Sequence, residues 1–80
     1  DQMKIFAALC AEHEAYAGLG VVYTQMSGST RIIQIELDFD DHVTVREIEE
    51  LTSRIEARLK ASFGKMIFHL IPRRRGHQHG

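Results

Sequence analysis

R-I-I-Q-I-E-L-D-F, residues 31 to 39, is the stretch whose reading decides the fold. From Ile33 onward it alternates without a fault. Ile33, Ile35, Leu37 and Phe39 fall on one side, and Gln34, Glu36 and Asp38 on the other. A period of two in a segment rich in β-branched residues predicts a strand that rests one face on a core. Its other face carries polar groups and meets either water or a partner.

Outward from this strand the signals are of mixed kind. On its N-terminal side, V-V-Y-T-Q-M at residues 21 to 26 is rich in strand formers, and Ser27-Gly28-Ser29-Thr30 is a turn cluster. Two β-runs joined by so short a loop predict an antiparallel hairpin. Further back, Gln2 to Ala17 carries Ile5, Phe6, Leu9 and Cys10, with His13 and Ala17 more weakly, at helical spacing. This predicts a first helix ended by Gly18 and Gly20. On the C-terminal side, Asp40-Asp41-His42 breaks the alternation. Thr44 and Glu47 then have the spacing of a capping box, followed by an apolar stripe of Ile48, Leu51, Ile55 and Leu59. The pairs Glu50/Arg54 and Glu56/Lys60 stand four apart in the favourable order. Gly64 is the stop signal. M-I-F-H-L-I at residues 66 to 71 predicts a third strand ended by Pro72.

The order is helix, strand, strand, helix, strand. A helical crossover makes the second and third strands parallel. The fold class is therefore α+β: a two-layer sandwich in ferredoxin-like α-β-β-α-β order, with a three-stranded mixed sheet and two helices on one face. Residues 1–72 form the domain, and Arg73 to Gly80 read as a mobile Arg- and His-containing tail.

The 80 residues make one domain. So small a chain buries only about 60% of the surface its unfolded form exposes, and it gains from a metal, a second copy or the rest of a longer chain. The chain begins on Asp1 rather than Met, which suggests a piece of something longer. The single cysteine excludes an intrachain disulfide and fits a reducing compartment. The net charge of -1 argues against nucleic acid as a partner. No apolar run is long enough to cross a membrane. No nucleophile–base spacing or phosphate-binding glycine loop points to an enzyme.

With the apolar side of 31–39 under the helices, Gln34, Glu36 and Asp38 share the opposite face with Ile67, His69 and Ile71. Isoleucines flanking a histidine on an open face point to a protein contact, and a two-fold homodimer is the commonest kind. The interface expected from this is Gln34, Glu36, Ile67, His69 and Ile71. Glu36 and His69, on neighbouring strands, are either two ligands of a divalent metal completed across a two-fold axis, or a plain ion pair. Asp38, Asp40, Asp41 and His42 could hold a hard cation, although turn and cap chemistry is the commoner use of such a loop. His77 and His79 are either accessory metal ligands or solvated tail residues. Arg73 to Arg75 could meet anionic headgroups, or simply keep the tail soluble. Cys10 reads as a small core residue rather than a nucleophile, and His13 as an edge-of-core residue. Cys10 has no CxxC partner.

Three runs together resemble the C-terminal cytoplasmic domain of cation diffusion facilitator transporters. They are S-G-S-T-R-I-I-Q-I-E-L-D-F-D-D, R-E-I-E-E-L-T-S-R-I-E-A-R-L and M-I-F-H-L-I-P. The resemblance spans about Gly18 to Pro72. It implies a metallochaperone-like fold on the cytoplasmic side of a membrane, attached to a transport domain outside this chain. It further implies a homodimer that binds a divalent cation between its protomers and so favours a transport-competent arrangement. The metal implied is Zn²⁺ first, with Mn²⁺, Fe²⁺, Co²⁺ or Cd²⁺ as the others. His69 matches the family's histidine in the last strand. Glu36 falls where many members have a His ligand, Gly20 where many have another His, and Ile71 where some have an Asp. The metal set expected here is Glu36 and His69, with Asp38 and His42, and His77 and His79 as accessories. The residues also allow two other readings: a metal-independent dimerisation module, and a ligand-sensing ferredoxin-like regulatory domain of an enzyme.

Overall fold

The computed structural model describes residues 2–74. The elements are α1 (Gln2–Ala11), a short 3-10 turn (His13–Ala15), β1 (Gly18–Ser27), β2 (Thr30–Phe39), α2 (Val45–Phe63) and β3 (Met66–Arg74). The sheet order is β1-β2-β3, with β1 antiparallel and β3 parallel to the central strand. This is the two-layer α-β-β-α-β arrangement expected from the sequence.

Strand β2 supplies the floor of the core. Ile33, Ile35, Leu37 and Phe39 are at most 1% exposed. Onto them pack Ile5, Ala8 and Leu9 of α1, Leu51, Ile55 and Leu59 of α2, and Met66 and Phe68 of β3. The α2 start is the expected capping box: the Thr44 hydroxyl accepts from the Glu47 amide at 3.1 Å, and the Thr44 amide donates to Glu47 Oε1 at 2.9 Å. At the other end Gly64, at φ 74, donates to the Lys60 carbonyl. Only glycine adopts that backbone cheaply. Gly28, at φ 63 in the two-residue turn between Ser27 and Thr30, has the positive φ that a tight hairpin needs at its first central residue.

Several expectations are corrected. The first helix stops at Ala11 rather than Ala17. Its buried stripe is Ile5, Ala8 and Leu9, so Phe6 is 44% exposed and Cys10 and His13 lie outside the core. The helix is held short from beyond its end. Tyr16 Oη donates to the Leu9 carbonyl at 2.9 Å, and the Ala17 amide donates to the Asp38 carbonyl, which starts the next strand. Gly18 and Gly20 therefore lie within β1 and do not terminate a helix. The strand predicted to stop at Pro72 runs on to Arg74, so Arg73 and Arg74 belong to β3. Pro72 is tolerated because β3 is an edge strand. The Arg31 amide bonds the Lys65 carbonyl, so the odd-numbered residues of β3 aim their backbone groups at β2. Pro72, of the other parity, faces away and loses no ladder bond. Residues 75–80, which include His77 and His79, lie outside the described residues.

The expected Glu56–Lys60 pair forms at 3.9 Å. Arg54, expected beside Glu50, turns instead to Glu12. Arg54 Nε and Arg58 Nε each stand 3.0 Å from a different oxygen of Glu12, whose side chain is 10% exposed. This clamp ties the exit of α1 to the middle of α2. Burial pushes the Glu12 carboxyl up, but the hydrogen bonds and charges of Arg54 and Arg58 together outweigh it, leaving it below its ordinary value of 4.5. A carboxyl lowered in the fold contributes stability above its unfolded value and loses it as pH falls through the folded one. Both guanidinium partners are half exposed, which limits the contribution to about 1 kcal/mol. The denaturation midpoint should therefore hold above about pH 4.5 and fall as the pH drops below it. In Glu12→Gln, that part of the acid dependence should be missing and the stability at neutral pH lower by about 1 kcal/mol.

Candidate functional site: the open face of the sheet

The alternation that buries Ile33 to Phe39 turns Ile32, Gln34, Glu36 and Asp38 to the other side of β2. The parallel register places Ile67 beside Ile32, His69 beside Gln34, Ile71 beside Glu36 and Arg73 beside Asp38. From β1, Val21 and Tyr23 reach the same face, where they line a hollow with Gln34, Glu36 and Ile71. The hollow is small, about 40 Å³, room enough for a water or an ion. Around it the apolar side chains are open: Val21, Tyr23, Ile67 and Ile71 are between 40% and 61% exposed. A contiguous patch of this kind on a small domain marks a contact surface.

Glu36 and His69 share this face, as expected, but they are diagonal neighbours rather than opposite each other. Among the described residues no hydrogen bond or ion pair joins them. Glu36 has other partners. Its Oε1 accepts from the Val21 amide at 3.3 Å and lies 3.3 Å from Arg73 Nη1. Arg73 Nε donates to Asp38 Oδ1 at 2.9 Å. One guanidinium thus spans two carboxylates. The hydrogen bond to Asp38, then the charges of Asp38 and Glu36, raise Arg73 further above its ordinary value. The carboxylate side chains are partly covered, 28% exposed for Glu36 and 24% for Asp38.

A bulge in β1 makes room for this cluster. Leu19 pairs with Leu37 and Val22 with Ile35, so Gly20 and Val21 together oppose Glu36. A Cβ on Gly20 would meet Glu36 Oε1 at 2.8 Å, and Arg73 Nη2 and Glu36 Cβ at 2.9 Å. Glycine is needed here for close approach, not for its backbone angle. The position where the resemblance suggested a missing ligand is the space that Glu36 and Arg73 fill.

Of the other predicted ligands, His42 is the one within the described residues, and it lies elsewhere. His42 lines a polar groove of about 450 Å³ at the start of α2, with Glu14, Asp40, Glu47, Glu50 and Arg54. Among the described residues of one chain, no three His, Cys, Asp or Glu side chains converge as a metal site. The residue that sequence reasoning missed is Arg73, because Pro72 was read as the end of the strand. The signal was present in the numbering: Arg73 continues the odd parity of Ile67, His69 and Ile71.

The donor set fits a divalent cation in kind. Two carboxylates and an imidazole lie on one face, and the carboxylates already hold a cation, the guanidinium of Arg73. One chain supplies too few ligands for a full shell, so an ion held here would need donors from outside it.

Residues 1–71 match the family model for the cation efflux protein, cytoplasmic domain. No curated protein matches the chain. Among solved structures, one of CzrB, described as a candidate zinc transporter, is 14% identical, covering 95% of this chain and 98% of that one at a TM-score of 0.73. Its zinc form is 13% identical, with 98% and 92% covered and a TM-score of 0.74. The nickel form of a variant MamM C-terminal domain is 16% identical, with 92% and 94% covered and a TM-score of 0.72. At these identities the likeness is one of fold.

The bulge glycine carries a direct test. Gly20→Ala should lower stability by about 1–3 kcal/mol in chemical denaturation, because the methyl group meets the fixed Cβ of Glu36. Gly18→Ala, whose nearest neighbour would be Asp38 Oδ2 at 3.1 Å, should cost less. Equal effects at the two positions would contradict this account of the bulge.

Proposed function

The chain belongs to the cation efflux proteins, as their cytoplasmic domain, and we propose that it joins two copies of the transporter through the open face of its sheet, with a divalent metal ion bound between them. The observation that carries this reading is the composition of that face. Val21, Tyr23, Ile67 and Ile71 stand exposed around the donors Glu36, Asp38 and His69. A two-fold axis through the face would bring Glu36 and His69 from both protomers together, giving four ligands from two per chain. A mixed carboxylate and imidazole set suits Zn²⁺, and also Mn²⁺, Fe²⁺, Co²⁺ or Cd²⁺. Asp38 adds negative charge at the rim of the site. Metal bound across the pair favours the arrangement of protomers that completes the shell, and so shifts the population toward a transport-competent state. The domain then works on the cytoplasmic side of a membrane, attached to the transport domain.

A second reading is supported by Arg73. Its guanidinium already neutralises Glu36 and Asp38, so the face could pair with a second copy through its apolar side chains without any metal. Sedimentation with and without Zn²⁺, together with calorimetric titration, separates the two. The expected result is a dimer that zinc tightens, and zinc binding more than about tenfold weaker in Glu36→Ala/His69→Ala, since loss of an outer-shell partner alone costs about that much. If the double variant binds zinc as tightly as the parent, the site is elsewhere. A dimer indifferent to zinc selects the second reading.

A further inference from the structure

We propose that Arg73 is a built-in cation that competes with the divalent metal for Glu36 and so sets the metal concentration to which the domain responds. The inference rests on the reading of Glu36 as a ligand in the preceding subsection. Three features of the fold support it.

First, the guanidinium is delivered to its place by the backbone. Strand β3 stays in register with β2 through the pair Phe39 and Arg74, so Arg73 emerges on the open face directly beside Asp38. Second, the place is shaped to receive it. Gly20 has no side chain, and Arg73 Nη2 lies 2.9 Å from where a Cβ would be, so the guanidinium lies down on the sheet over the bulge. Third, the same carboxylate oxygen serves both cations. Glu36 Oε1 is 3.3 Å from Arg73 Nη1, and a metal would take that oxygen at about 2.0–2.2 Å. A divalent charge at that distance repels the guanidinium, so occupancy by one excludes the other.

The two contacts of Arg73 are unequal. The bond to Asp38, at 2.9 Å, is shorter than the approach to Glu36, at 3.3 Å. Asp38 therefore retains the guanidinium when Glu36 is taken by metal, which keeps the displacement local. An arginine stays charged across the physiological pH range, so proton concentration does not remove this competitor. A carboxylate pair of the same layout with no guanidinium between its members would take metal at lower concentration.

Zinc titration of Arg73→Gln by calorimetry should show binding about two- to fivefold tighter than in the parent, the range expected for loss of partly exposed ion pairs. Adding Glu36→Gln to either background should remove that binding. If Arg73→Gln binds zinc no more tightly than the parent while Glu36→Gln still abolishes binding, the competition is wrong and the metal site stands. If Glu36→Gln leaves zinc binding untouched in both backgrounds, the metal site itself is wrong. A measurement on the parent chain is independent of whether the variants fold. The Arg73 Nε–H resonance in a ¹⁵N spectrum should shift or broaden as zinc is added, in step with the calorimetric saturation. A resonance unchanged at saturating zinc would overturn the proposal.

Discussion

A strand with a neighbour on each edge and a core on one side cannot slip. Strand β2 is in that position, and the rest of the molecule takes its orientation from it. A shift of one residue against β1 or β3 would exchange Ile33, Ile35, Leu37 and Phe39 for Ile32, Gln34, Glu36 and Asp38, placing two carboxylates under the helices. The cost of burying those charges holds the register firm. The register in turn decides which residues of β1 and β3 face out, and therefore what the open face contains. The bulge at Gly20 and Val21 is the one place where the pairing with β1 breaks step, and it lies opposite Glu36.

The parts of this fold that were legible in the sequence are those governed by local chemistry. Alternation in β2, the reciprocal Thr44 and Glu47 cap, the left-handed glycine after α2 and the Ser-Gly turn each depend on neighbours a few residues away. The errors share a different cause. The first helix was read too long because Gly18 and Gly20 look like a stop, whereas Tyr16 and the Ala17 amide end it through bonds to Leu9 and Asp38. Phe6 and Cys10 were placed inside because the apolar stripe of α1 is ambiguous by one residue. Small Ala8 is buried in their place, where the helix comes close to its neighbours. Glu12, with no apparent role in the sequence, is the anchor for two arginines more than forty residues away.

The open face divides in the same way. The shared side of Glu36 and His69 followed from parity alone, and the family resemblance agreed with it. Their diagonal placement did not follow, because parity gives a face and not a position along the strand. Arg73 was hidden by a rule that holds inside sheets and relaxes at their edges: proline ends a strand only where its missing amide would have been used. The cationic neighbour of the two carboxylates therefore became visible only with the pairing of β3 in hand.

Pro72 has an effect of its own on how copies of this domain can meet. Both outer strands of a three-stranded sheet expose backbone donors and acceptors along an edge, an open invitation to further strands and to fibrous growth. On the β3 side the outward-facing row lacks a donor at Pro72, and the charged Arg73 and Arg74 follow it in the same strand. Lateral extension of the sheet is thereby discouraged at one border. The broad surface carries no such restriction, and two copies meeting there about a two-fold axis would form a closed pair rather than a growing sheet.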